Sequence, residues 1–195
     1  MAAQNRKAAV TALSRSGRSA EVEANRKIRE VYNISRALVD KALWSRVESP
    51  TALTYMVGAS GRRLPLATFA RGSLLRASQT QLRARNARAV KRGLPGAVQV
   101  EIVRGAPKTL PRTFVTTVGA GHTGIFERFG EKVFARRGRY AGTGIRRQRI
   151  REVYGISVAR MLNNRNVRQA AWARFREQFP KVFLHELWRR SSAGN

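Results

Sequence analysis

The chain has 195 residues, 43% of them hydrophobic, enough to build the core of a single domain with an arm or insertion. It carries 39 Lys and Arg against 11 Asp and Glu, a formal net charge of +28, and no cysteine, which excludes a disulfide framework and any thiolate metal site. The excess asks for an anionic partner, nucleic acid first and acidic protein surfaces second, and it comes mostly from arginine, whose guanidinium fork matches phosphate oxygens.

The opening stretch, MAAQNRKAAVTALSRSGRSAEVE, lacks the apolar centre of a signal peptide, and no run of eighteen apolar residues follows it. The expectation is a soluble intracellular product without membrane contact. The segment up to about Trp44 reads as helix, turn, helix: Ile28, Val31 and Tyr32 share one helical face, Asn33 is a stop, and Ser35 stands where an N-cap belongs. Leu38, Val39, Ala42 and Leu43 continue the apolar face.

After Pro50 the texture becomes strand-like. TALTYMVGAS alternates apolar and polar residues, and GRRLPLATFA supplies a turn and a second apolar run. GAVQVEIVRG at 96–105, TFVTTV at 113–118 and TGIFERFG at 123–130 complete a mostly antiparallel sheet of about four strands. Two basic stretches interrupt these runs, residues 71–95 as an arm or insertion and residues 131–149 as a long surface loop. The chain then returns to one long helix, with Val167, Ala171, Phe175, Phe179, Val182 and Phe183 at helical spacing and Pro180 expected to kink or restart it. The fold class is therefore α+β in a single domain, 1–195, with N-terminal helices and a long C-terminal helix packed on the sheet.

One phrase occurs twice, IREVYNIS at 28–35 and IREVYGIS at 150–157. IREVY satisfies both the helical and the strand period, so its neighbours decide. Good helix formers precede the first copy, which should end a helix; glycines and a basic loop precede the second, which should be a strand leading into a helix at Gly155 and Ser157. Similarity stops on either side of the eight letters, which argues against a duplicated domain.

GAGHTG at 119–124 matches the glycine pattern of a dinucleotide-binding turn, but strand-like IFERFG follows it and no acid stands about twenty residues on, so it reads as a hairpin turn. His122 and His185 have no second ligand at metal spacing, and the single Asp and ten Glu form no carboxylate cluster. The sequence supports no catalytic residue, no cofactor and no metal site, and the reading is that the protein is not an enzyme.

The chemistry on offer is charge. Residues 51–112 hold twelve bases and only Glu101. One candidate contact cluster is Arg76, Arg83, Arg85, Arg88, Lys91 and Arg92; the other is Arg136, Arg137, Arg139, Arg146 and Arg147. They suit non-specific contact with phosphates or with an acidic protein surface. There is little aromatic interleaving among them, which weighs against base stacking. A competing reader is VYNISRALVDKALW within residues 24–44, which has the layout of a helix-turn-helix regulator but the lowest basic excess in the chain. A ribosomal or other RNA-binding protein is a third class, suggested by charge alone.

The order IREVYNISRALVDKAL, GRRLPLATF, VQVEIVRGAP, TFVTTVGAGHTGIFERFG and IREVYGISVARML resembles the minor tail protein Z, or tail completion, family of long-tailed bacteriophages. The likeness spans most of residues 20–190. The family's GxFxxR element is met by Gly124, Phe126 and approximately Arg128; TGIRRQRI replaces the family's lead into the last strand, and the stretch 71–95 is longer. The resemblance implies a virion protein at the head-proximal end of the tail, made in the host cytoplasm and assembled as a hexameric ring. Such a ring would complete the tail, join the tail tube to terminator and neck proteins, and surround the genome passage, with non-specific contact to DNA.

Overall fold

The computed structural model describes residues 2–70, 98–118, 121–134, 141–144 and 146–192. The chain folds into two compact units, one of residues 1–63 with 156–195 and one of residues 64–155. Its architecture is α+β: long helices near both ends and antiparallel strand ladders between them. The strands are shared among several small ladders of two or three strands in place of one sheet of about four.

The first unit is built on α1 (Ala2–Val31), followed by α2 (Arg36–Ala42), β1 (Leu43–Ser49) and β2 (Thr54–Ala59). The chain returns to it late, through α3 (Val158–Leu162) and α4 (Arg165–Ser192). Every fourth residue of α1 from Ala8 to Ile28, namely Ala8, Ala12, Ser16, Ala20, Ala24 and Ile28, is buried. That spacing keeps one stripe of small side chains under the neighbouring elements and lets backbones approach closely. α4 runs antiparallel along α1, tied by Arg174 Nε donating to Ser19 Oγ at 3.1 Å and Arg190 Nη2 to Thr11 Oγ1 at 3.3 Å.

Glu186 is fully buried on α4, where Arg15 of α1 and Arg189 each reach one of its carboxylate oxygens at 2.8 Å. The Arg189 hydrogen bond, against the opposing pull of burial, holds this carboxyl below its ordinary value of 4.5, and the charges of Arg15 and Arg190 add to the effect. A carboxyl with a lower pKa in the folded chain adds stability that is present above the unfolded value and lost as pH falls through the folded one. Glu186→Gln is therefore expected to lower the thermal midpoint at neutral pH and to flatten its acid decline, read by circular dichroism. An unchanged midpoint and an unchanged acid limb would show that the cluster contributes nothing.

The helix–turn–helix reading of the first segment holds as far as Ala42. Ser35 takes the extended N-cap backbone, φ −74° and ψ 150°, without a hydroxyl cap bond, and α2 is only seven residues long. Trp44 lies in a strand: Leu43, Ser45 and Val47 alternate inward, and β1 pairs with β2 from Leu43↔Ala59 to Ser49↔Thr54. α4 continues through Pro180 as one element. Pro180 is exposed, so the carbonyl four residues earlier, which loses its donor, can be met by water.

The second unit holds β3 (Arg63–Pro65) at its edge, a short 3-10 turn (Leu66–Phe69), β4 (Val98–Val100), β5 (Lys108–Leu110), β6 (Thr113–Val118), β7 (His122–Phe134), β8 (Arg146–Glu152) and the start of β9 (Tyr154–Ser157). Its core is Leu66, Phe69, Val98, Val100, Val115, Ile125 and Phe126. The apolar run LPLATFA turns into a 3-10 helix because Pro65, at φ −55°, sets its start and Leu66, Ala67 and Phe69 all bury. Of the strand expected over 96–105, residues 96 and 97 lie outside the described residues, and among the rest the strand covers Val98–Val100. Buried Glu101 accepts a hydrogen bond from the Gly105 N–H at 2.7 Å, which favours a local turn over further ladder. β4 pairs with β5, and β6, β7 and β8 form a three-stranded antiparallel sheet.

The repeated phrase takes both shapes. Ile28–Val31 close α1, whereas Ile150–Glu152 end β8 and Ser157 caps α3, its hydroxyl accepting from the Arg160 N–H at 3.3 Å. Of GAGHTG, residues 119 and 120 lie outside the described residues; Val118 pairs with His122 across the β6–β7 hairpin and Gly121 sits at φ +96°. A strand follows it, and a Cβ on Gly124 would fall 2.7 Å from the Glu152 carboxylate.

Candidate polyanion-binding ribbon

Arg76, Arg83, Arg85, Arg88, Lys91, Arg92, Arg136, Arg137 and Arg139 lie outside the described residues, as does the whole stretch 71–95. Arg146 and Arg147 are placed, and they correct one expectation: most described residues of the stretch 131–149 belong to strands. Residues 131–134 extend β7 and residues 146–149 open β8, which pair as Lys132↔Gln148, Val133↔Arg147 and Phe134↔Arg146. The ladder forms because backbone N–H and C=O groups can pair whatever the side chains, while the glycines and arginines of the stretch hide its strand alternation.

Between Phe129 and Lys132 the register slips: Gly130 and Glu131 are extra on β7, with Gly130 at φ +67° and its carbonyl accepting from Gln148 Nε2 at 3.1 Å. A two-residue insertion preserves the alternation, so the faces stay in phase on both sides of the bulge. Arg147, Arg149 and Arg151 form a row on one face, opposite Val133, Phe129 and Glu127. Arg146, Gln148 and Ile150 stand on the other, opposite Phe134, Lys132 and Arg128.

All of β7 from Arg128 to Phe134 is exposed, and on β8 only Gln148 and Glu152 are partly covered. This is a two-stranded ribbon with both faces in solvent. Over 127–134 and 146–151 it has six cations, Arg128, Lys132, Arg146, Arg147, Arg149 and Arg151, against Glu127 and Glu131. Arg151 Nε pairs with Glu127 Oε1 and its guanidinium lies 5.4 Å from the Phe129 ring centre. Arg146 lies 4.7 Å over Phe134, and Arg128 5.1 Å over Phe114 on β6. Such stacks add about 0.5–1 kcal/mol each at exposed sites and keep the guanidinium planes oriented without consuming their charge.

The sequence alone missed Arg128, Lys132, Arg149 and Arg151 as members of this surface. It also understated the aromatics, since Phe129 and Phe134 come to stand among the arginines and are 36% and 56% exposed. The one trace of it in the sequence is the alternate spacing of Arg147, Arg149 and Arg151 in RRQRIRE, an alternation of charge and not of burial.

Beside the ribbon, His122 Nε2 meets Glu152 Oε1 at 2.8 Å and the Tyr154 hydroxyl donates to Glu152 Oε2 at 3.0 Å. These three residues join the hairpin to the end of β8. Among the described residues no group of three or more His, Asp or Glu could hold a metal ion, and no helix is long and apolar enough to cross a membrane.

No protein family, curated protein or solved structure was found to match the chain.

Proposed function

We propose that this chain is a structural virion protein that completes the head-proximal end of a bacteriophage tail, forming a closed ring around the genome passage and performing no bond-breaking chemistry. The observation that carries the reading is the cationic β7–β8 ribbon, exposed on both faces with a row of three arginines along one of them. Residues two apart on a strand are about 7 Å apart, twice the axial rise of about 3.4 Å per phosphate of one duplex DNA strand. A two-stranded ribbon also matches the width of a major groove. Neither feature selects a sequence, which suits a protein that must hold any stretch of genome passing it. The ordered string of motifs that resembles the tail completion family supplies the location, and a closed ring needs only two complementary patches on each subunit.

Mass spectrometry and immunogold labelling of purified virions test the proposal. The expected result is labelling where tail meets head; particles that lack the protein would overturn it. A sequence-specific regulator is the second reading, favoured by the α1–α2 pair, in which Asn25 Nδ2 donates to Asp40 and Arg36 pairs with Asp40 at 3.3 Å. It predicts a defined footprint on duplex DNA, whereas the ring protein protects no particular site.

A further inference from the structure

We propose that the groove bounded by α1, the β1–β2 turn and the aromatic flank of α4 docks an acidic amphipathic helix of another protein. The groove lies within the first unit and does not depend on the tail reading. One hollow of about 680 Å³ is lined by Leu13, Gly17, Leu53, Tyr55, Trp172 and Phe175. Towards the N-terminal end of α1, a second hollow of about 850 Å³ is lined by Arg6, Lys7, Val10, Pro50 and Arg190. From Gly17 back to Arg6 the two hollows together follow about 16 Å of α1, the length of three helical turns of an occupant.

Three observations point to a ligand. Trp172, Phe175, Phe179 and Phe183 stack along α4 with ring centres 5.5, 5.6 and 5.9 Å apart, yet Trp172 remains 52% exposed. Leu53 is held at φ 51°, a conformation that costs a leucine energy, and is 41% exposed on the groove wall. Among the described residues no acidic one lines either hollow, while Arg168, Arg6, Lys7 and Arg190 do, and Arg176 lies 5.0 Å over Trp172.

An apolar floor with a cationic rim selects an occupant with apolar knobs at helical spacing and carboxylates beside them. A second copy of this chain suits this particular rim poorly, because it carries only 11 acidic residues against 39 basic ones.

The test uses the full chain and three labelled synthetic peptides, followed by fluorescence anisotropy. One is an amphipathic helix with a glutamate-rich polar face, one the same helix with lysine in place of glutamate, and one a glutamate-rich peptide without the apolar face. Only the first is expected to bind, and Trp172→Ala should weaken it roughly tenfold or more. Leu53→Gly should weaken it as well, without lowering the thermal midpoint, because it removes wall and strain together. Equal binding of the two acidic peptides, or binding indifferent to both substitutions, would overturn the proposal. So would a dimer in sedimentation that is broken by Trp172→Ala.

Discussion

Replacing Arg147, Arg149 and Arg151 together with glutamate is expected to reduce affinity for random-sequence duplex DNA by about two to three orders of magnitude near 0.1 M salt. Each phosphate contact releases close to one counterion, so three lost contacts remove about 2.7 from the slope of log affinity against log salt. The fold should survive, because these side chains stand exposed on a ribbon that buries little. The pair Arg151–Glu127 is lost, but an exposed pair of this kind contributes at most about 1 kcal/mol. Electrophoretic shift and circular dichroism on the same variant separate the outcomes. Lost binding with an intact melt supports the ribbon; intact binding places the phosphate contacts elsewhere.

Gly17→Ala is expected to destabilise the first unit by about 1–3 kcal/mol, although the same change in an exposed helix stabilises by about 1 kcal/mol. An added Cβ would lie 2.1 Å from the Tyr55 ring. That ring cannot turn aside cheaply, because its hydroxyl donates to Ser45 Oγ at 2.7 Å and Ser45 in turn bonds Glu21 of α1. Gly58→Ala is the internal comparison. Its Cβ would meet the Trp44 ring at 2.3 Å, but Trp44 is 41% exposed and free to swing outward, so the loss should be smaller. Urea denaturation of both variants measures the difference. A Gly17→Ala chain as stable as the parent would show that α1 and β2 are not held as closely as described.

Much of the fold can be read from local pattern, and the failures have physical causes. The long helices declare themselves through their periodicity, and the two copies of IREVY were separable because helix formers surround one and glycines precede the other. β1 was hidden because Leu43 and Trp44 prolong the apolar face of α2, so that a strand with Leu43, Ser45 and Val47 inward looked like the end of a helix. The ribbon was hidden differently. Neither of its faces is buried, so there is no apolar alternation to detect, and the bulge at Gly130 and Glu131 breaks the count where charge is densest. The composition therefore announced a cationic surface and named Arg146 and Arg147, but could not say that they share a ladder with Phe134 and Val133, or that Arg149 and Arg151 extend their row. Buried Glu186 was equally invisible, since a carboxylate beside two arginines on a helix reads as solvated until α1 brings Arg15 against it.

On this proposal the positive excess holds a polyanion through the β7–β8 ribbon, whatever its sequence. The most direct measurement is the affinity of the parent chain and of the Arg147/Arg149/Arg151→Glu variant for random duplex DNA across a salt series. The expected result is a steep negative slope in the parent that becomes shallower by about 2.7 in the variant. A flat plot in the parent, or the same slope in both proteins, would contradict it.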